Sequence, residues 1–462
     1  MKRLLIACLL LFIFSSVTAQ ESPIWVFDSS YLVLDTTIKG NVLLKKETSQ
    51  SFVDFVALNV TFFPRETENQ EILSEAMRPV PKESNEQGVA FFWQSPQGTV
   101  LDFSLQHQVK VQNDFPKIIK KISFPIRQVP SAIEPYLRPQ AIIDSDDERI
   151  SALASKIVEG EDDLYLTVHK LAVWTVENIA YNLSTVTAKA SKSATWVLEN
   201  KQGVCDELTA LFIAMARSIG IPARFVSGIS YTSSPLFPER WGPHGWAEIY
   251  FPGYGWVPFD VTYEEFGYVD PTHVIAKYSL DAGETSLQYA WRGRDVDAAT
   301  GDLKITANVL EQGALLSPDV SFEVNLLKEK TGLGGYNAVE VVMKNLRNYY
   351  QSAMMGISRT TKLEMLGERK QYIALKPGEE KRIYWILKLE EGLDEEFLYT
   401  FPLTVHTDRG MNKTMEFAAS KHNHLFSLQE IQALIQQRQK EEEKTYSAKL
   451  QVQCTMDKEE YY

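Results

Sequence analysis

The chain has 462 residues, 44% of them hydrophobic and 23% charged, with a formal net charge of −13. At about 150 residues per domain, this length allows roughly three domains, and the composition excludes a mostly disordered chain or a polytopic membrane protein. The acid excess argues against nucleic acid as a partner, because a binder would carry a basic patch, and three cysteines are too few for a disulfide scaffold.

The first residues read as a targeting signal. Lys2 and Arg3 precede an apolar run from Leu4 to Phe14, and small residues follow up to Ala19. Charge, apolar stretch and small-residue end together make a signal peptide over 1–19. The run is shorter than the ~20 residues that span a bilayer. The expectation is an exported protein, secreted or at the cell surface. Cleavage after Ala19 removes Cys8 and leaves Cys205 and Cys454.

Residues 20–130 read as an N-terminal β-sandwich. Ser30 to Lys46 is rich in β-branched and aromatic residues and is broken by Gly40-Asn41. Val89–Trp93, Val100–Leu105 and Ile118–Ile126 follow at strand-like spacing, separated by turn signals. Near Pro130 the period changes. Ile150, Leu153, Ala154 and Ile157 lie at helical spacing, and Val168, Leu171, Ala172 and Val176 repeat the pattern within Leu164–Asn178. A third helix begins at Cys205. Its apolar positions Leu208, Leu211, Phe212, Met215 and Ile219 make one face, and Gly220 and Pro222 end it. The strands Arg224–Tyr231, Trp246–Phe251 and Trp256–Asp260 complete an α+β core over 131–295. Residues 300–420 are strand-like again, beginning with Ile305–Leu310, and suggest an immunoglobulin-like sandwich. Residues 421–462 form a charged tail, helical from Ser427 to Lys444, either solvated or docked by a narrow stripe of Leu428, Ile431, Leu434 and Ile435.

The segment Gly203-Val204-Cys205-Asp206-Glu207 puts a thiol in the first turn of a buried helix. The helix dipole lowers a thiol pKa there, and the free N–H groups can receive a developing oxyanion. A nucleophilic thiol needs a base. His244 lies in Trp241-Gly242-Pro243-His244-Gly245-Trp246-Ala247-Glu248, at the start of a strand. After the turn Gly253-Tyr254-Gly255, Asp260 ends the next strand and could orient the imidazole. Taken singly, each of the three is more often structural. Their joint order is what points to chemistry.

These motifs, with Gly220-Ile221-Pro222-Ala223-Arg224, Gly255-Trp256-Val257-Pro258-Phe259-Asp260, Trp174 and Ile179-Ala180-Tyr181-Asn182, resemble the transglutaminase-like superfamily, distantly related to papain-like cysteine peptidases, and are most similar to secreted prokaryotic, archaeal-type members. The resemblance implies a multidomain α+β protein with a transglutaminase-like core between two β-sandwiches. It implies that Cys205 attacks a carboxamide or peptide carbonyl, His244 moves the proton, Asp260 holds His244, and a thioester passes its acyl group to water or an amine. The Cys205 N–H is one implied oxyanion donor, and Trp196 or Gln202 is the second. Trp246 is a substrate-cleft candidate, although core packing explains a tryptophan there equally well. The expected partner is a protein or peptide substrate, with association with the cell envelope left open, and hydrolysis is favoured over transamidation. No metal or other cofactor is expected: Asp270, three residues before His273, reads as a structural loop. The competing expectation is a non-catalytic surface or adhesion protein that uses the core as a scaffold.

Overall fold

The computed structural model describes residues 26–185, 191–358 and 360–441. The expected signal peptide, Cys8 and Cys454 lie outside the described residues.

The central core pairs helices with one antiparallel sheet. Its helices are α1 (Glu148–Ile157), α2 (Leu164–Asn178), α3 (Ala194–Asn200) and α4 (Cys205–Ser218). Its strands are β1 (Ala223–Tyr231), β2 (Trp241–Phe251), β3 (Gly255–Asp260), β4 (Glu265–Phe266) and β5 (Val274–Ser279), in the order β4-β3-β2-β1-β5. Helix starts follow local chemistry. The Asp147 carboxylate accepts from the Arg149 N–H before α1, and Asp163 accepts from the Tyr165 N–H before α2. Each cap satisfies an otherwise orphan donor.

Helix α4 is covered on all sides. Its expected face of Leu208, Leu211, Phe212 and Met215 is buried, and so are Ala210, Ile213, Ala214 and Ala216 between those positions. One side meets α2 through Leu171 and Val168, and the other meets the sheet through Ile249, Phe251 and Phe259. A helix that is apolar all round belongs inside a fold. This immobilises Cys205 at its start.

The N-terminal sandwich packs a sheet containing Tyr31–Lys46, Val100–Gln112 and Gln70–Arg78 on one containing Phe52–Val60, Gly88–Gln94 and Glu83–Asn85. Three expectations change here. Gly40 does not break its strand: Tyr31–Lys46 runs through it, with Gly40 opposite Phe103. A Cβ at Gly40 would lie 2.6 Å from the Phe103 ring, so the glycine makes room for a cross-strand aromatic rather than a turn. Ile118–Ile126 is not a strand. Pro125 offers no N–H to a ladder, the segment makes one isolated bridge at Ser123, and Ile118 turns into the central core.

The third change concerns the domain boundaries. Leu287–Arg294 pairs with Phe52–Val60, and Val296–Thr300 and Lys304–Gln312 both pair with Tyr31–Lys46. The end of the 131–295 segment and the start of the 300–420 segment therefore belong to the N-terminal sandwich. Alternation marks a strand but says nothing of its distant partner.

The C-terminal sandwich runs from Val320–Leu326 to Asn412–Ala419, around Trp385, Phe401 and Phe417. Residues 428–441 form a helix whose Ile431 and Ile435 are buried against Ala338, with Arg438 bonded to Glu340 at 2.6 Å. This sandwich also grips the core. Tyr350 donates to Asp163 at 2.5 Å, His169 bonds Ser352 at 3.1 Å, and Lys370 bonds Glu264 at 2.7 Å. Among the described residues, no helix is long and apolar enough to cross a membrane.

Candidate active site

The β2–β3 hairpin sets the first pair. Gly253 and Gly255 both take positive φ, of 83° and 93°, in the connecting turn. The register pairs Ala247 with Phe259. Because side chains alternate along strands, His244 and Asp260 project from the same face. The His244 Nε2–H donates to Asp260 Oδ2 at 2.5 Å, and both residues are buried. Asp260 Oδ1 accepts from the Thr262 and Tyr263 N–H groups at 2.7 and 2.9 Å. Burial on its own would raise the Asp260 pKa. The charge and hydrogen bond of His244, with the bond from His273, outweigh it and hold the carboxyl well below the usual carboxylate range.

His244 is fixed in plane as well. Tyr263 stacks on its ring at 4.5 Å between centroids, and Trp246 lies parallel behind it at 6.0 Å. With Nε2 committed to Asp260, Nδ1 is the nitrogen left to serve a thiol.

The thiol arrives from α4. Thr209 Oγ1 donates to the Gly245 carbonyl at 3.1 Å, tying the first turn of α4 to β2 beside His244. Glu207 closes the same turn: its carboxylate accepts from the Val204 N–H at 3.0 Å and from Thr185 Oγ1 at 2.9 Å. Gly245 has no room for a side chain, since a Cβ would stand 2.5 Å from the Phe225 ring. Its N–H points at the Cys205 sulfur, as does the Asp206 N–H. Cys205 is half-buried in the first turn of the helix. Burial, with the Asp206 and Asp260 charges, pushes its thiol up to about 12, and the two N–H groups pull it only partly back. Such a thiol becomes a nucleophile by passing its proton to a base. His244 lines the same cleft.

That cleft has a volume of about 1250 Å³. Its walls come from all parts of the molecule: Phe27 and Leu303 from the N-terminal sandwich, Tyr181 and Trp241 from the core, and Asp408 and Arg409 from the C-terminal sandwich.

His244 thus bonds Asp260, and the neighbouring Gly245 N–H ties the Cys205 sulfur to the same strand. The other proposed site residues, Trp196, Gln202 and Trp246, do not line the cleft. Trp196 packs on the central core from α3, beneath the Lys192 ammonium at 5.8 Å. Gln202 accepts from Asn182 Nδ2 at 2.7 Å. Trp246 is fully buried behind His244, and its indole N–H finds no partner.

Sequence reasoning passed over two residues. Tyr181 was read only as part of a motif, yet its hydroxyl oxygen receives the Cys205 N–H, and the residue is 37% exposed on the cleft wall. His273 was read as a loop residue, yet its Nε2 lies 3.2 Å from Asp260 Oδ2. Among the described residues, the side chains close enough together to share a metal ion are His244, Asp260 and His273, and Glu265, Asp270 and His273. In this structure they bond to one another.

Residues 151–261 match the model of the transglutaminase-like superfamily, so the chain carries a transglutaminase-like domain. A Bacillus subtilis (strain 168) protein named YebA, itself uncharacterised, is 30% identical over 155 residues, which is 30% of this chain. The match spans 20% of that protein's length. Among solved structures, a candidate cysteine protease from Cytophaga hutchinsonii is similar over 61% of this chain and 93% of its own, with 20% identity and a TM-score of 0.46. Red sea bream transglutaminase covers 79% of this chain and 92% of its own, with 8% identity and a TM-score of 0.21.

Proposed function

We propose that this chain is an exported thiol enzyme that cleaves peptide or carboxamide bonds through Cys205, His244 and Asp260. The observation that carries this reading is the 2.5 Å bond from His244 to a buried, ionised Asp260, with a thiol at a helix start in the same cleft. The transglutaminase-like domain over 151–261 supports it.

The chemistry follows from the geometry. His244 Nδ1 takes the thiol proton while the sulfur bonds to the substrate carbonyl carbon, whose oxygen becomes an oxyanion. The Cys205 N–H already offers itself to an oxygen, that of Tyr181. The oxyanion accepts that N–H together with the Tyr181 O–H, a pair of donors aimed at the developing charge. The carbon–nitrogen bond then breaks, and His244 gives its proton to the departing amine. The acyl group remains on sulfur as a thioester. Water, deprotonated by His244, attacks the thioester, releases a carboxylate and restores the thiol. In this proposal hydrolysis is favoured over transfer to an amine as the final step. Export by the segment 1–19, and association with the cell envelope, belong to the same proposal.

The test is alkylation of the full chain with iodoacetamide near pH 6, read by mass spectrometry. Labelling of Cys205 should outpace that of Cys454 and be lost in His244→Ala. Equal, slow labelling of both thiols would favour a scaffold role and sink the enzyme reading. Incubation of a protein substrate with a fluorescent primary amine separates the acceptors: fragments or deamidation without label mark hydrolysis, and incorporated label marks transfer.

A further inference from the structure

The mechanism above uses one histidine, and a second stands behind it. His273 is fully buried in the loop before β5, and every polar atom facing its ring nitrogens is an acceptor. Nδ1 lies 3.2 Å from the Asp270 carbonyl oxygen, 3.6 Å from Asp270 Oδ1 and 4.0 Å from Glu265 Oε2. A carbonyl has no proton to give, so Nδ1 must carry one. Nε2 faces Asp260 Oδ2, which already accepts from His244, while Oδ1 of the same carboxylate accepts two backbone N–H groups. A carboxylate so fully used as an acceptor carries no proton, so Nε2 must carry one too. A ring with both nitrogens protonated is an imidazolium.

We propose that His273 is a positioning residue: a buried cation that keeps Asp260 ionised and aimed at His244, and that limits how tightly His244 holds its own proton. The inference rests on the thiol-enzyme reading and deepens it. The centroids of the two imidazole rings are 5.6 Å apart. Asp260 divides its negative charge between them. When His244 takes the thiol proton, it becomes a second cation in that field, and like charges at such range disfavour one another. His244 therefore releases its proton to the departing amine more readily than it would beside Asp260 alone.

The charges around the pair are consistent with this role. Burial would lower the His273 pKa, but the Asp270 charge and the bonds to Asp260 and Asp270 outweigh it and raise it well above the usual value. Burial and the neighbouring Asp270 push the Glu265 carboxyl up, while the His273 charge pulls it down. Asp28, from the N-terminal sandwich, adds its charge near Asp270. Tyr263 and Trp246 complete the enclosure, with ring centroids 5.2 and 5.1 Å from His273. On its other side, His244 lines the cleft that Cys205 also lines.

The experiment measures the alkylation rate of Cys205 by iodoacetate from pH 4 to 10 in the full chain. The anionic reagent is drawn by an imidazolium at His244 and loses that attraction when the ring deprotonates, so the rate falls on the alkaline side. His273→Gln keeps a donor near Asp260 and removes the charge. The alkaline limb should then move up by about one pH unit, at the lower end of the effect of a close charge. A limb that stays in place in folded His273→Gln, with the wild-type profile bell-shaped, overturns the inference and leaves the thiol-enzyme reading standing. A wild-type profile without a bell, or one unchanged in His244→Ala, overturns both. If His273→Gln fails to fold, ¹⁵N-histidine NMR of Cys205→Ala decides, because there His244 has no thiolate to hold its proton. One ring doubly protonated at pH 8.5 supports the inference, and only neutral rings at that pH overturn it.

Discussion

Asp260→Asn is the sharpest perturbation the site allows, because the structure dictates how an amide must sit there. Oδ1 accepts the Thr262 and Tyr263 N–H groups at 2.7 and 2.9 Å, so the asparagine oxygen has to occupy that position. Its NH₂ then replaces Oδ2 and points at the Nε2 atoms of His244 and His273, 2.5 and 3.2 Å away. A donor facing His244 Nε2 makes that nitrogen the acceptor and moves the ring proton to Nδ1. That is the nitrogen meant to take the thiol proton, and it is now blocked. Where a triad aspartate elsewhere is made asparagine and the wrong tautomer results, turnover drops roughly 10⁴-fold. At 1.36 kcal/mol per factor of ten, this is about 5.4 kcal/mol of lost transition-state stabilisation. The assay is iodoacetamide labelling of Cys205 at pH 6 to 9, with circular dichroism confirming the fold. Labelling of the variant should rise only at strongly alkaline pH, because the thiol is left with the buried surroundings that push it up to about 12. A folded Asp260→Asn that labels as fast as wild type at pH 6 would refute the tautomer reasoning.

Two further outcomes are expected. Tyr181→Phe keeps the ring and removes the O–H beside the Cys205 N–H; it should lower kcat about 10²-fold, with KM nearly unchanged, as loss of one oxyanion donor does, and a change confined to KM would contradict the assignment. Acid stability depends on the buried carboxylate: because the folded pKa of Asp260 is depressed, its contribution is present above the ordinary value of about 3.9 and is lost as the pH falls through the folded value. Melting curves of Asp260→Asn should therefore fall less steeply below about pH 4 than those of wild type, and parallel curves would argue against the linkage.

What could be read from the sequence divides by range. The start of α4, the β2–β3 hairpin and the pairing of His244 with Asp260 were legible, because each depends on local signals: a glycine before a helix, a turn with paired glycines, and alternation along two adjacent strands. Gly40 misled because a turn and a cross-strand ring such as Phe103 ask for the same residue. The strands Val296–Thr300 and Lys304–Gln312 were visible as strands, but nothing in them names Tyr31–Lys46 as their partner. His273 was illegible for a similar reason. Its own loop supplies Asp270, which suggested a local turn, while the decisive acceptor, Asp260, comes from another strand. Trp196 and Gln202 were oxyanion candidates that the resemblance implied, yet Tyr181, further away along the chain, is the residue in contact with the Cys205 N–H.

The strands between Leu287 and Gln312 have a consequence for how the chain can assemble. They close the sheets begun by Tyr31–Lys46 and Phe52–Val60, so the central core is an insertion whose two ends are clamped by a single sandwich. A chain emerging from its amino end can form α1 to α4 and β1 to β5 before its first domain is complete. The late strands then act as a latch that shuts only after the insertion has been made. Cutting at residue 130 to isolate either half would leave Tyr31–Lys46 with a bare edge and separate Phe27 from the rest of the cleft wall. Dissection of this protein therefore has to keep Tyr31–Lys46 and Lys304–Gln312 in one piece with the core between them.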